Sequence, residues 1–91
     1  MRYYFSGHVL RRMAERSISP DAIKAVIENG TVIREYPDDT PCPSRLILGY
    51  DGTRPIHVVS SYSPTDDIER VITAYEPDAR LWSADFTERR T

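Results

Sequence analysis

The sequence predicts an α+β domain in which two N-terminal helices pack on a four-stranded antiparallel sheet and a short C-terminal helix closes the chain. Three observations predict it. Apolar residues at helical spacing, with clear start signals, occupy residues 6–29. Four β-branched and aromatic runs with short connections follow between residues 31 and 75. Trp82 and Phe86 then stand four apart behind a proline, a spacing at which one helix face docks both rings.

With 91 residues, 40% hydrophobic and 29% charged, the chain is one domain, 1–91, built on a single core. No apolar run approaches the roughly 20 residues that span a bilayer, and Met1 to Ser6 lacks the apolar stretch of a signal peptide. Cys42 is the one cysteine and stands between Pro41 and Pro43. It reads as a loop thiol, excludes an internal disulfide and fits a reducing, cytoplasmic setting.

In chain order, Arg2 to Phe5 read as a short lead-in or strand edge, and Ser6 suits the N-cap of the first helix, which should stop near Arg16 or Ser17. Ser19-Pro20-Asp21 is a second helix start, with Pro20 in the first turn and an acid behind it. Ala22, Ile23, Val26 and Ile27 keep helical spacing, and Asn29-Gly30 closes the helix with a residue tolerant of left-handed backbone. From Thr31 the period changes. Thr31 to Tyr36, Arg45 to Tyr50, Ile56 to Tyr62 and Ile68 to Tyr75 read as strands. Asp51-Gly52 is a hairpin signal between the second and third.

Net charge is −2, which argues against a non-specific nucleic-acid binder. The charge is uneven, however: residues 1–34 carry six basic and three acidic side chains, and residues 35–67 carry two and six. Basic character gathers on the first helix. At about 100° per residue, His8, Arg12 and Arg16 form one stripe along the border of the apolar face made by Val9, Leu10, Met13 and Ala14. Such a stripe is a cradle for an anion. The alternative is a solvated basic face, with Glu15 offsetting one charge.

Alternation along the strands places His57, Val59 and Ser61 on one face, and Val71, Thr73 and Tyr75 likewise. If the last two strands are neighbours, His57, Thr73 and Tyr75 come close. The alternative for His57 is a core histidine satisfied by a backbone carbonyl. Two histidines, several arginines and a tyrosine suit metal-independent RNA cleavage, which needs a base for the 2′-hydroxyl, an acid for the departing 5′-oxygen and cations at phosphorus. Imidazole serves as base or acid near neutrality, and guanidinium grips phosphate. No metal or other cofactor is expected, since there is no HExxH motif and no paired-cysteine spacing.

His8-x-x-x-Arg12-Met13-x-x-Arg16-x-Ile18, Ser19-Pro20-Asp21, Pro55-Ile56-His57-Val58-Val59 and Val71-Ile72-Thr73-Ala74-Tyr75-Glu76-Pro77-Asp78, with Trp82 beyond, resemble the bacterial family of unknown function DUF4258 over roughly residues 6–86. Such proteins look like relatives of RelE/BrnT/MqsR-type toxins. The resemblance implies a RelE-like (BECR-type) fold and a metal-independent endoribonuclease, an mRNA interferase toxin of a type II toxin–antitoxin pair that leaves a 2′,3′-cyclic phosphate. It implies RNA as substrate and a cognate antitoxin of the YgiT zinc-finger type as partner. His8, Arg12, His57 and Tyr75 would then be catalytic, and Arg16, Arg45 and Thr73 would bind substrate. The rival expectation is a non-catalytic interaction module whose basic stripe docks an acidic protein.

Overall fold

Both helices begin where a serine hydroxyl can accept a free backbone amide. Ser6 Oγ accepts from Val9 N–H at 3.1 Å and opens α1 (Gly7–Glu15); Ser19 Oγ accepts from Ala22 N–H at 3.1 Å and opens α2 (Pro20–Asn29). In this computed structural model, which describes residues 1–91, α1 ends in a Schellman turn. Ile18 N–H donates to Met13 O (2.9 Å) and Ser17 N–H to Ala14 O (3.2 Å), with Ser17 in the left-handed region at φ 56°.

Gly30, at the end of α2, is extended rather than left-handed (φ −79°, ψ −178°). Space, not handedness, demands glycine there. A Cβ would collide with Val26 O and lie 2.6 Å from Leu48 O and 2.8 Å from Ile47 Cγ2. The chain then enters β2 (Thr31–Tyr36), β3 (Ser44–Asp51), β4 (Arg54–Ser63) and β5 (Ile68–Tyr75). Gly52, at φ 65°, turns the β3–β4 hairpin, in which Asp51 pairs with Arg54.

Two expectations of the sequence are corrected here. The sheet is not four-stranded and antiparallel; it has five strands in the order β1-β5-β4-β3-β2, because Arg2–Phe5 forms β1. β1 runs parallel to β5 and pairs Arg2–Phe5 with Ile68–Val71. Four residues carry too little alternation to reveal a strand, and the partner lies at the far end of the domain, so no local signal marks the pairing.

The C-terminal helix is also absent. Residues after Tyr75 form turns and one isolated bridge between Trp82 and Arg89. Short polar side chains there bind the nearby backbone: Thr87 N–H donates to Asp85 Oδ1 and Glu88 N–H to Ser83 Oγ, each at 3.2 Å. Such local bonds compete with a helix, and Phe86 sits at φ 63°, outside helical backbone. The RelE-like (BECR-type) layout that the family resemblance implied, with four antiparallel strands and a C-terminal helix, is corrected with them.

The helices cover one face of the sheet. Val9, Met13, Ile23 and Val26 meet Ile47, Ile56, Val58, Val71 and Ala74 in one core. No helix is long and apolar enough to cross a membrane.

Candidate functional site

β1 pairs with β5 only as far as Val71. Beyond it the outer edge of β5 has no strand partner, and α1 runs beside that edge. A groove of about 290 Å³ lies between them, lined by His8, Val9, Arg12 and Arg16 from the helix and Ile72, Thr73 and Ala74 from the strand. The basic stripe therefore lines a concave surface while its side chains stay exposed.

Each cation is placed by local structure. His8 is in the first turn of α1, where unpaired N–H groups and the helix dipole favour an anion, and no acidic residue occupies that turn. Arg12 is exposed, with one contact to Glu15 at 3.4 Å, a surface pair too weak to tie it down. Arg16 Nη1 donates to Ala74 O at 2.9 Å, bridging the helix end to the strand edge. Behind it Arg54 donates to the carbonyls of Arg16 (2.6 Å) and Ser17 (2.7 Å) and to Glu76 Oε1 (2.7 Å), locking the end of α1 against the start of β4. Sequence reasoning missed Arg54. Its position beside the hairpin turn carries no motif, and its role appears only when the helix end folds over it.

His57 and Tyr75 are placed elsewhere. They are directly paired across β4 and β5, on the sheet face opposite Ala74 and Val58, which belong to the helix-side core. His57 is fully buried. Its Nε2 lies 2.9 Å from Phe86 O and its Nδ1 3.3 Å from Tyr75 Oη. The Trp82 ring packs edge-on against it, with centroids 4.5 Å apart at 88°. Burial lowers the His57 pKa below the ordinary 6.5, and the bond to the Phe86 carbonyl only partly opposes this. The neutral imidazole thus donates from Nε2 to Phe86 O and can accept from Tyr75 O–H. Burial likewise raises the Tyr75 pKa. The structure brings neither to the groove: Phe86 and Trp82 of the C-terminal turns close over His57, Tyr75 stays half-buried, and the carbonyl-bonded core histidine is what forms.

Arg45 is also outside the groove. Its Nη2 donates to Glu69 Oε1 at 2.9 Å, and Glu69 is 2% exposed. The predicted site therefore divides. His8, Arg12, Arg16 and Thr73 come together; His57 with Tyr75, and Arg45 with Glu69, form separate structures. No three His, Cys, Asp or Glu side chains converge on a possible metal position.

The profile of the family described as "Domain of unknown function (DUF4258)" matches residues 5–76. The chain belongs to this family. All of the groove, and His57 with Tyr75, lie inside the matched DUF4258 region. The C-terminal turns that carry Trp82 and Phe86 lie beyond it, although the resemblance read from the sequence extended to residue 86. No curated protein and no solved structure matches the chain.

Proposed function

We propose that this DUF4258 protein is the toxin of a toxin–antitoxin pair, a cytoplasmic endoribonuclease that cleaves single-stranded mRNA in the groove between α1 and β5 without a metal. One observation carries this reading: His8, Arg12 and Arg16 converge on a single groove of about 290 Å³. A phosphodiester placed there would meet two guanidinium groups and the positive end of a helix. His8 would take the proton of the 2′-hydroxyl as its oxygen attacks phosphorus. Arg12 and Arg16 would stabilise the added negative charge. The departing 5′-oxygen would take its proton from water, since no second histidine shares the groove. A cognate antitoxin, expected to be of the YgiT zinc-finger type, would silence the protein by covering this groove.

The test is incubation of the purified protein with single-stranded RNA in excess chelator, with the 3′ ends of the products analysed for 2′,3′-cyclic phosphate. Cleavage with cyclic ends supports the reading. Intact RNA in the presence of folded protein contradicts it for free RNA.

The burial of His57 favours a second reading, because one histidine is then withdrawn from any acid–base pair. In that reading the groove docks an acidic protein segment and performs no chemistry. RNA that binds weakly or not at all, and is never cut, would favour it.

A further inference from the structure

Arg45 lies outside the groove, yet it is oriented as a recognition residue would be. Along β3, β4 and β5 it shares a face with Ile47, as Ser60 does with Val58 and Glu69 with Val71, so these polar groups sit at the margin of the helix-side face. The Glu69 carboxylate takes one of the five N–H donors of Arg45. Arg45 Nε, Glu69 Oε2 and Ser60 Oγ are buried without a partner. Burying a carboxylate to hold a half-exposed arginine costs desolvation energy. What it provides is one fixed orientation of the guanidinium.

A cavity of about 420 Å³ opens at Arg45. Glu35 stands directly across the β2–β3 pair from Arg45 and forms no salt bridge. The Tyr62 ring, with Pro37, Pro43 and Pro64, supplies further walls. Tyr62 O–H donates to Asp67 Oδ1 at 2.6 Å, which steadies the ring. A guanidinium fork and a free carboxylate thus stand side by side, with flat surfaces around them.

We propose that this cavity takes a guanine base of single-stranded RNA. Arg45 donates to guanine O6 and N7, Glu35 accepts from N1–H and the N2 amine, and Tyr62 lies against the flat face of the base. Directly opposed residues on neighbouring strands have Cβ atoms about 5 Å apart, which suits two side chains gripping adjacent edges of one purine. Adenine would set its N6 amine against the guanidinium, donor against donor, and a pyrimidine has no N7 edge. The proposal rests on the RNA reading of the α1–β5 groove and gives that reading a base preference.

The test uses short thymine-rich deoxyoligonucleotides that carry one guanine, adenine or cytosine and lack the 2′-hydroxyl needed for cleavage. Anisotropy should show the guanine oligonucleotide bound roughly tenfold tighter, in line with one good bidentate contact. Glu35→Ala, on an exposed strand, and Arg45→Lys, which keeps a charge for Glu69, should each abolish the preference. Arg12→Ala should weaken all three oligonucleotides equally. Equal affinity for all bases, or a preference that survives both variants, overturns the guanine site and leaves the groove standing. If no oligonucleotide binds, the groove fails, and guanosine alone decides the cavity by NMR. A guanosine-dependent shift of the Arg45 Nε–H resonance that disappears in Glu35→Ala supports the site; an unmoved resonance overturns it.

Discussion

Arg16 Nη1 donates to the carbonyl oxygen of Ala74 at 2.9 Å, joining the end of α1 to the one stretch of β5 that has no outer strand partner. This contact sets the width of the groove and holds one guanidinium at its wall. Arg16→Ala should cost about 1–2 kcal/mol of stability, as expected for a partly exposed bond to a charged donor. It should also reduce RNA cleavage by at least tenfold. Arg16→Lys should recover more stability than activity, because an ammonium cannot serve carbonyl and phosphate as a fork does. Thermal melts beside cleavage assays separate the two effects.

His57 makes stability depend on pH. Its folded pKa is lowered by burial, so the unfolded chain binds more protons between that lowered value and the ordinary 6.5. The stabilisation is complete above about 6.5 and falls as pH drops through this window. His57→Gln, whose amide can still donate to Phe86 O, should flatten that part of the profile. Urea midpoints at several pH values between about 5 and 8 check the sign.

Trp82 seals His57, and Trp82→Ala should destabilise the protein by about 3 kcal/mol, near the low end for a large aromatic truncation. Loss of the seal should also raise the His57 pKa toward 6.5 by readmitting water. An NMR titration of the imidazole measures the second effect independently of the first.

Removing Arg45 leaves a buried carboxylate without its partner. Arg45→Ala should cost about 2–3 kcal/mol, less than a fully buried broken pair because water reaches the arginine side. Glu69→Gln, which removes the charge and keeps the shape, should cost about 1 kcal/mol. The order of the two denaturation midpoints tests whether the unpaired charge is the dominant penalty.

Gly30→Ala should destabilise by about 2–3 kcal/mol through overpacking, since its Cβ has no room between the end of α2 and β3. Equilibrium unfolding measures it. A neutral result would mean that α2 can shift away from the sheet.

Strong local signals made much of this molecule legible. Ser6 and Ser19 accept the amides their positions predict, and Gly52 turns the hairpin. The remainder depended on partners distant in sequence. β1 acquires its identity only by meeting β5, and Gly30 is required by crowding from Ile47 and Leu48. At the site, helical spacing alone brought His8, Arg12 and Arg16 together, and they do share a groove. Strand alternation offered His57 and Tyr75 as neighbours only if the last two strands pair, and the register that pairs them comes from the sheet. Alternation could not say which face the helices would take, or that Trp82 and Phe86 would close over the other. That Arg45 stands outside the groove was hidden for a related reason: its buried partner, Glu69, looks in sequence like any exposed strand acid.

The most direct measurement compares RNA cleavage in excess chelator by the wild type, His8→Ala and His57→Gln, each confirmed folded by circular dichroism. Catalysis in the α1–β5 groove predicts cyclic-phosphate products from the wild type and His57→Gln, and loss of at least a hundredfold in His8→Ala, the scale of a missing general base. Full activity in His8→Ala, or activity lost only in His57→Gln, would contradict it and move the chemistry to the face beneath Trp82.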